Sequence, residues 1–498
     1  MTNQKWLEYP HILMFSETMT KLKYMNIKVN ILMAFILPLV VWSCKTDKLI
    51  SNKDLAPPLP TQFRDQEEGA KETSIGSIPW RDFFQDPILQ VLIDSAIHQN
   101  VDMQLAIKNI ESSQLMLKQA KANYLPNLQL QIKANSTNPS NNSMNGLSLG
   151  QFLGQNHVED YTASLGLSWE ADLWGKIKSQ NTAALASYLQ TEEAKKAVQT
   201  QLISQVAQGY YQLLMLYQLH EIAQQNLRLS DSTLRIVQQQ YEVGDISMLA
   251  VEQVDAQRLA AASLIPDFEQ QIHLQENAIQ TLSGRLPQEI KIKEKLANIQ
   301  LPDNWSAGVP ADLLSRRPDV KQAELAVTSS KAYQQYAKAR MYPSLVISAE
   351  AGINAFKSSN WFNIPASLFG AVAGSLTQPI FQRRELKTQY EIAQIDQEKN
   401  VIRFRQTVIT AVGEVSDALI SIQKLKEKQR ITLERTNRLK KAIQHADVLF
   451  ETGMATYLEV ITAQSNMLQS ELELAQVKKA ELAAVVDLYR SLGGGWNQ

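Results

Sequence analysis

Few side chains in this sequence stand at spacings that could do chemistry. His220-Glu221-Ile222-Ala223-Gln224 begins like a zinc-protease helix, in which two histidines four residues apart hold the metal beside a glutamate base. Gln224 stands where the second ligand is needed. The chain has 6 histidines in all, scattered along its length, so each reads as a surface or packing residue. No glycine-rich loop followed by Lys and Ser or Thr offers a cradle for nucleotide phosphates. The single cysteine, Cys44, excludes an intramolecular disulfide and a zinc cluster of paired thiolates. These residues predict no enzyme, no metal centre and no cofactor, and the chain has no evident means of using ATP.

What precedes Cys44 does give its thiol a chemistry. Met25-Asn26-Ile27-Lys28 is a short basic start, residues 31–41 are an apolar run of signal-core length, and small Ser43 adjoins the thiol. The pattern resembles a bacterial lipoprotein signal, in which the chain is cut before the cysteine and the sulfur and freed amine are acylated. Two or more acyl chains anchor a protein stably. Residues 1–43 are therefore expected to be a signal peptide, best started at Met25 because Glu8 and Glu17 suit no such segment. Trp42 departs from the small residue usual there, and the alternative is a lone buried cysteine beside an ordinary membrane anchor. Lys45 rather than Asp follows the cysteine, which favours the outer membrane by enteric sorting rules. Residues 44–79, with Pro57-Pro58-Leu59-Pro60 and a charged run through Lys71, read as an extended tether.

The elements that would carry such a protein are long. With 498 residues but only 19 Gly and 17 Pro, the chain has too few interruptions for many small units. Lys plus Arg is 49 against 50 Asp plus Glu, which leaves no electrostatic reason to expect nucleic acid as a partner. The sequence also repeats itself. Asp102, Ala106, Ala120, Ala122, Pro126 and Leu128 recur as Asp319, Ala323, Ala337, Ala339, Pro343 and Leu345, and Tyr241, Gly244 and Leu249 recur as Phe450, Gly453 and Leu458. Residues 80–300 and 301–498 are expected to be two structural repeats, the first with extra residues in an Asn-, Ser- and Gly-rich stretch, 135–160, read as a long exposed loop.

Each repeat opens with a helical pattern, Leu89–Tyr124 and Leu313–Met341, closed by Pro126 and Pro343. Period-two strands follow. Leu128, Leu130 and Ile132 alternate with Gln129, Gln131 and Lys133; Tyr161 to Trp169 and Leu345 to Ile353 alternate likewise, and a weaker strand is predicted near Leu368–Leu376. Proline-free helices of roughly 100 Å come next, about 175–242 and 383–451. In the second, Val401, Phe404, Val408, Ala411, Val415, Ala418, Ile422 and Leu425 form a coiled-coil seam. Return helices, about 248–282 and 457–492, complete two hairpins turned at Gly244 and Gly453, and Pro266 is expected to kink or break the first. The predicted fold class is mainly α, internally duplicated, with a small antiparallel β part.

Strands with one apolar and one polar face suit either a soluble sandwich or a transmembrane barrel around water. Four strands cannot close, and open edges are not tolerated in lipid, so the membrane reading needs strands from further copies. On that reading Tyr161, Trp169 and Trp174 are placed for an interfacial aromatic belt, and a soluble coiled-coil protein with a small sheet is the alternative.

Over Trp80 to Trp496 the chain resembles the outer-membrane efflux protein family, the TolC-like channels, and within it the lipoproteins that serve RND-class pumps. The resemblance rests on Trp80-Arg81-Asp82-Phe83-Phe84, Trp169 to Lys176, Leu314 to Val320 with Arg316-Arg317-Pro318-Asp319, Leu376 to Phe381, and Leu488 to Trp496. It implies a homotrimer in the outer membrane of a Gram-negative bacterium, with a 12-stranded β-barrel continued by a periplasmic α-barrel. It also implies a periplasmic adaptor and a proton-driven inner-membrane RND pump as partners. Carried over by position, the adaptor would meet the hairpin turns at Val243, Gly244, Ser247, Thr452, Gly453 and Thr456. A periplasmic gate would use Phe450 and Glu459, with Ala250, Ala455 and Thr462 where some members carry charges. Plain helix turns and a solvated Glu459 are the simpler readings of those residues. At the level of function, the alternatives are a type I secretion exit duct and a structural lipoprotein tether without a pore.

Overall fold

A computed structural model of the chain describes residues 56–64, 74–152, 154–300 and 306–497. Cys44, the signal segment and most of the expected tether lie outside the described residues. After one helical turn, α1 (Trp80–Phe83), Asp86 starts α2 (Pro87–Gln99). Its carboxylate accepts from the amides of Ile88 at 2.8 Å and Leu89 at 3.4 Å, with Pro87 at the position where a missing N–H costs nothing. The sequence pattern predicts one helix as far as Tyr124, but the chain breaks it at Asn100. Extended there, Asn100 caps α3 (Val101–Ala122) by accepting from Asp102 at 2.8 Å and Met103 at 3.2 Å. The second repeat breaks likewise. α7 (Leu313–Arg316) gives way to α8 (Pro318–Ala339) across Arg317, which Pro318 holds out of the helical region.

Between and after these lie β1 (Asn127–Thr137), β2 (Val158–Ala171), β3 (Ser344–Ala355) and β4 (Leu368–Thr377), paired antiparallel in the order β1-β2-β3-β4. The register aligns chemistry across the sheet. Leu130 opposes Leu165, which opposes Ala351, which opposes Gly370; one residue along, Gln129, Gly166, Glu350 and Ala371 form the next row. The stretch 135–160 is not simply a loop. Pairing extends to Thr137 and Val158, and α4 (Met144–Phe152) forms between them, its start held by the Ser143 hydroxyl, which accepts from the Gly146 amide at 3.1 Å.

The long helices α5 (Lys176–Glu242) and α9 (Glu385–Glu451) have 67 residues each, and the return helices α6 (Met248–Leu282) and α10 (Tyr457–Ser491) have 35 each. Equal lengths restate the duplication in three dimensions. Of the predicted seam, Phe404, Val408, Ala411, Val415, Ala418 and Ile422 are buried. Pro266 does not break α6, which runs through it. The exposed position lets water serve the carbonyl that proline leaves without an amide. Among the described residues no helix is long and apolar enough to cross a membrane.

The short helices complete the return helices. Asn100 Nδ2 donates to the carbonyl of Leu282 at 3.0 Å, and Arg317 donates to that of Ser491 at 2.9 Å, so α6 meets α3 and α10 meets α8. α3 and α6 pack on one flank of α5, α8 and α10 on the other, and α9 packs beyond those. The result is a layer of four columns, α3 with α6, then α5, then α8 with α10, then α9. Each column leads into one strand, in the order of the sheet. α1 and α2 pad the middle of this layer, where Phe83 stacks on Tyr489 with centroids 4.2 Å apart and the Tyr210 hydroxyl donates to Asp86 at 2.6 Å.

Candidate functional site

The two hairpin turns are built alike. α5 ends at Val243, Gly244 takes a φ of 84°, and the amides of Gly244 and Asp245 return to the carbonyls of Tyr241 at 3.0 Å and Gln240 at 2.9 Å. α9 ends at Thr452, Gly453 takes a φ of 76°, and the amides of Gly453 and Met454 return to Phe450 at 3.1 Å and Leu449 at 2.8 Å. These are Schellman closures, which need the left-handed residue that glycine supplies cheaply. A Cβ added at either glycine would meet nothing within 4 Å. Gly284 and Gly493, which close α6 and α10 with similar φ values, differ in this respect. There an added Cβ would come 2.4 Å from the Gln99 carbonyl oxygen and 2.7 Å from that of Arg316. The tip glycines face open space, and the inner ones are packed against backbone.

Past the turns the copies diverge. Thr456 and Glu459 form a capping box on α10, with the Thr456 amide donating to Glu459 Oε2 at 2.6 Å. Ser247 caps α6 without a side-chain bond, and Ala250 has no carboxylate to reach back to the Ser247 amide. Glu459 is exposed, and one of its oxygens is committed to the helix start. Phe450 lies inside the protein. It is 5% exposed and packs in a cluster with Val237, Ala250, Val251, Val254 and Val460, drawn from all four helices of the tip. Two polar ties add to it, the Tyr457 hydroxyl donating to Gln253 at 2.7 Å and Gln464 Nε2 to Thr233 Oγ1 at 2.8 Å. The two hairpins of one chain are thus clasped chiefly by apolar packing.

At the strands, the aromatic residues stand at two levels. Trp169 Nε1 donates to the Tyr124 carbonyl at 2.9 Å and Trp174 Nε1 to that of Pro343 at 2.7 Å, both where helices hand over to strands. Tyr161 sits near the other end of β2 against Trp361, with centroids 5.6 Å apart. Eight residues of strand separate Tyr161 from Trp169, roughly 26 Å, the height of the apolar band of an outer-membrane barrel. Between those levels Leu128, Leu130 and Ile132 are 64%, 69% and 66% exposed, an apolar face that nothing covers among the described residues.

Sequence reasoning assigned no role to the junction between α7 and α8. Arg317 is buried there, with Nε and one amine paired to the two oxygens of Asp319 at 3.0 and 2.7 Å and the other amine bonded to Glu414 at 2.8 Å. Burial opposes both charges, but the pairing outweighs it, raising the Arg317 pKa and holding the Asp319 carboxyl below its usual range. The signal was Arg317-Pro318-Asp319, in which proline ends one helix and presents the arginine to its neighbour. His220 meets Glu269 and Gln224 at 3.4 Å each, as a helix-surface residue.

The family model described as outer membrane efflux protein matches residues 92–285 and 309–494. The chain is 28% identical over 452 residues to the cation efflux system protein CusC of Escherichia coli O6:H1, covering 89% of this chain and 94% of that one. It is 28% identical over 439 residues to the pyoverdine export outer membrane protein OpmQ of Pseudomonas aeruginosa, covering 88% and 91%. The solved outer-membrane channel OprN superposes with a TM-score of 0.82 at 22% identity, covering 89% of this chain and 98% of that one.

Proposed function

Because the chain belongs to the outer membrane efflux protein family, we propose that three copies close into a passive, gated exit duct through the outer membrane. The carrying observation is that the sheet and the helical layer end at the same two edges. Among the described residues β1 and β4 each lack a second neighbour, and the columns beneath them, α3 with α6 and α9, carry exposed apolar residues such as Leu115 and Leu259 on one side and Ile395, Ile402 and Ile409 on the other. Joining β4 of one copy to β1 of the next satisfies both edges at once, and three copies give twelve strands. The apolar rows then face lipid and the polar rows face water. Lipid on Cys44 anchors the assembly.

In this duct the tips hang roughly 100 Å below the strands. The turns at Val243, Gly244, Ser247, Thr452, Gly453 and Thr456 dock a periplasmic adaptor, which links the duct to an inner-membrane RND pump. The apolar cluster around Phe450 keeps the hairpins of each protomer together at rest, with Glu459 beside it, and docking loosens the tips. Cargo is chosen upstream, and relatives named for cation efflux and for pyoverdine export support that division of labour.

Purified trimers in planar bilayers are expected to give stepwise single-channel conductance. A preparation of intact trimers that gave none would instead be a structural tether. Ile395, Ile402 and Ile409 recur every seven residues on α9 and are 52%, 66% and 55% exposed in the single chain. Burying the exposed half to two thirds of each isoleucine in the trimer contributes about 1–2 kcal/mol. Changing all three to glutamate should therefore leave folded monomers and no trimers, as read by light scattering of the detergent-solubilised protein.

A further inference from the structure

We propose that Glu350 gives the strand-lined part of the duct a preference for cations. The inference rests on the duct reading, since it needs the polar face of the sheet to line water. Glu350 lies midway along β3, opposite Gly166 of β2 and Ala371 of β4. Its row reads Gln129, Gly166, Glu350, Ala371. The rows on either side read Asn127, Ser168, Ser348, Ala373 and Gln131, Ser164, Gly352, Phe369. Across these three rows Glu350 is the only charged residue.

The small neighbours leave a hollow of about 520 Å³ against the sheet, with Glu350 on its wall. The carboxylate is held by Ser164, whose hydroxyl donates to Oε1 at 2.6 Å, so the charge is fixed at the wall. Other charges on this face lie toward the ends of the strands or are answered locally. Glu170 is paired with Lys176 at 2.8 Å, Asp160 accepts from Asn354 Nδ2 at 2.7 Å, and Lys133 stands two rows farther out on β1. Lys133 is roughly 15 Å from Glu350 by strand spacing, beyond the screening length of physiological salt. Three copies place three unanswered carboxylates at one level, the arrangement by which acidic rings favour cations in pores.

The test reads the potential beside Glu350 directly and does not depend on the state of the periplasmic tip. Ala371→Cys places a thiol across from the carboxylate, and Val372→Cys places one on the opposite face as a control. Intact cells carrying the full-length chain are treated from outside with a cationic trimethylammonium thiosulfonate and with an anionic sulfonate analogue, and the native chain with its single Cys44 sets the background. At a separation of several ångströms in water, one fixed charge should make the cationic reagent react roughly five- to tenfold faster than the anionic one at A371C. In E350Q/A371C, where glutamine preserves the shape, the ratio should fall to near one. A ratio unchanged by E350Q overturns the role of Glu350 and leaves the duct standing. Reaction at V372C but not at A371C reverses the two faces, and the duct reading falls with the proposal.

Discussion

Replacing Gly244 and Gly453 together with tryptophan is expected to reduce efflux to the level of a strain lacking the duct, while trimers stay in the membrane at normal abundance. The separation follows from where the two glycines sit. Each would hold a non-glycine residue at positive φ at a cost of about 1–2 kcal/mol, and a Cβ at either position would meet nothing within 4 Å. The fold tolerates this, whereas a partner approaching the tip would meet two indoles per protomer. Alanine at the same positions carries the same backbone strain without the bulk and should keep most of the efflux. Gly284→Ala and Gly493→Ala supply the opposite control, because a Cβ there would press on backbone carbonyls of Gln99 and Arg316 and should lower the amount of folded protein. Undiminished cargo export by the double tryptophan variant, with trimers verified on non-denaturing gels, would remove the docking role from these turns.

The contrast between the two glycine pairs also marks how far the sequence can be read. Hairpins, strands and repeat were legible because each has a period: seams step by three and four along α9, and rows step by two along β1 to β3. β4 was faint because Gly370, Ala371, Ala373 and Gly374 are too small to write an amphipathic pattern, and the structure completes it through pairing with β3. The break at Asn100 was not legible as a break, because a helical pattern runs through it and its side chain engages the end of another helix 182 residues away in sequence. At Arg317 the following proline marks the break, but the bond to a helix end 174 residues away is set only by the packing. At the tip the sequence placed Phe450 and Glu459 beside the turn. It could not tell that one fills a core shared by four helices and the other caps α10, because both facts depend on how the hairpins pack.

Those two breaks yield the second large effect. Asn100 and Arg317 occupy equivalent places in the repeats and each donates to the end of a return helix, but only Arg317 carries charge into a buried site. Arg317→Met keeps the length and removes every side-chain donor, leaving Asp319 without its partner and Glu414 with Arg490 alone, at 3.7 Å. Removing one member of a buried pair costs about 3–5 kcal/mol, and the lower end applies because the side chains of Asp319 and Glu414 remain 41% and 32% exposed. Asn100→Ala loses a cap and one hydrogen bond, about 1–2 kcal/mol, with no charge stranded. Thermal melting in detergent at neutral pH should therefore rank the native chain above N100A and N100A above R317M. Acid supplies the sign. Because Arg317 holds the Asp319 carboxyl below its ordinary range, this pairing stabilises the fold at pH values above the carboxyl's unfolded pKa, and the contribution is lost as pH falls through the depressed folded value. The gap in melting temperature between the native chain and R317M should narrow on acidification, whereas the gap to N100A should stay constant. If R317M melts no lower than N100A, the second junction is held by shape and hydrogen bonding alone, and its charges are incidental.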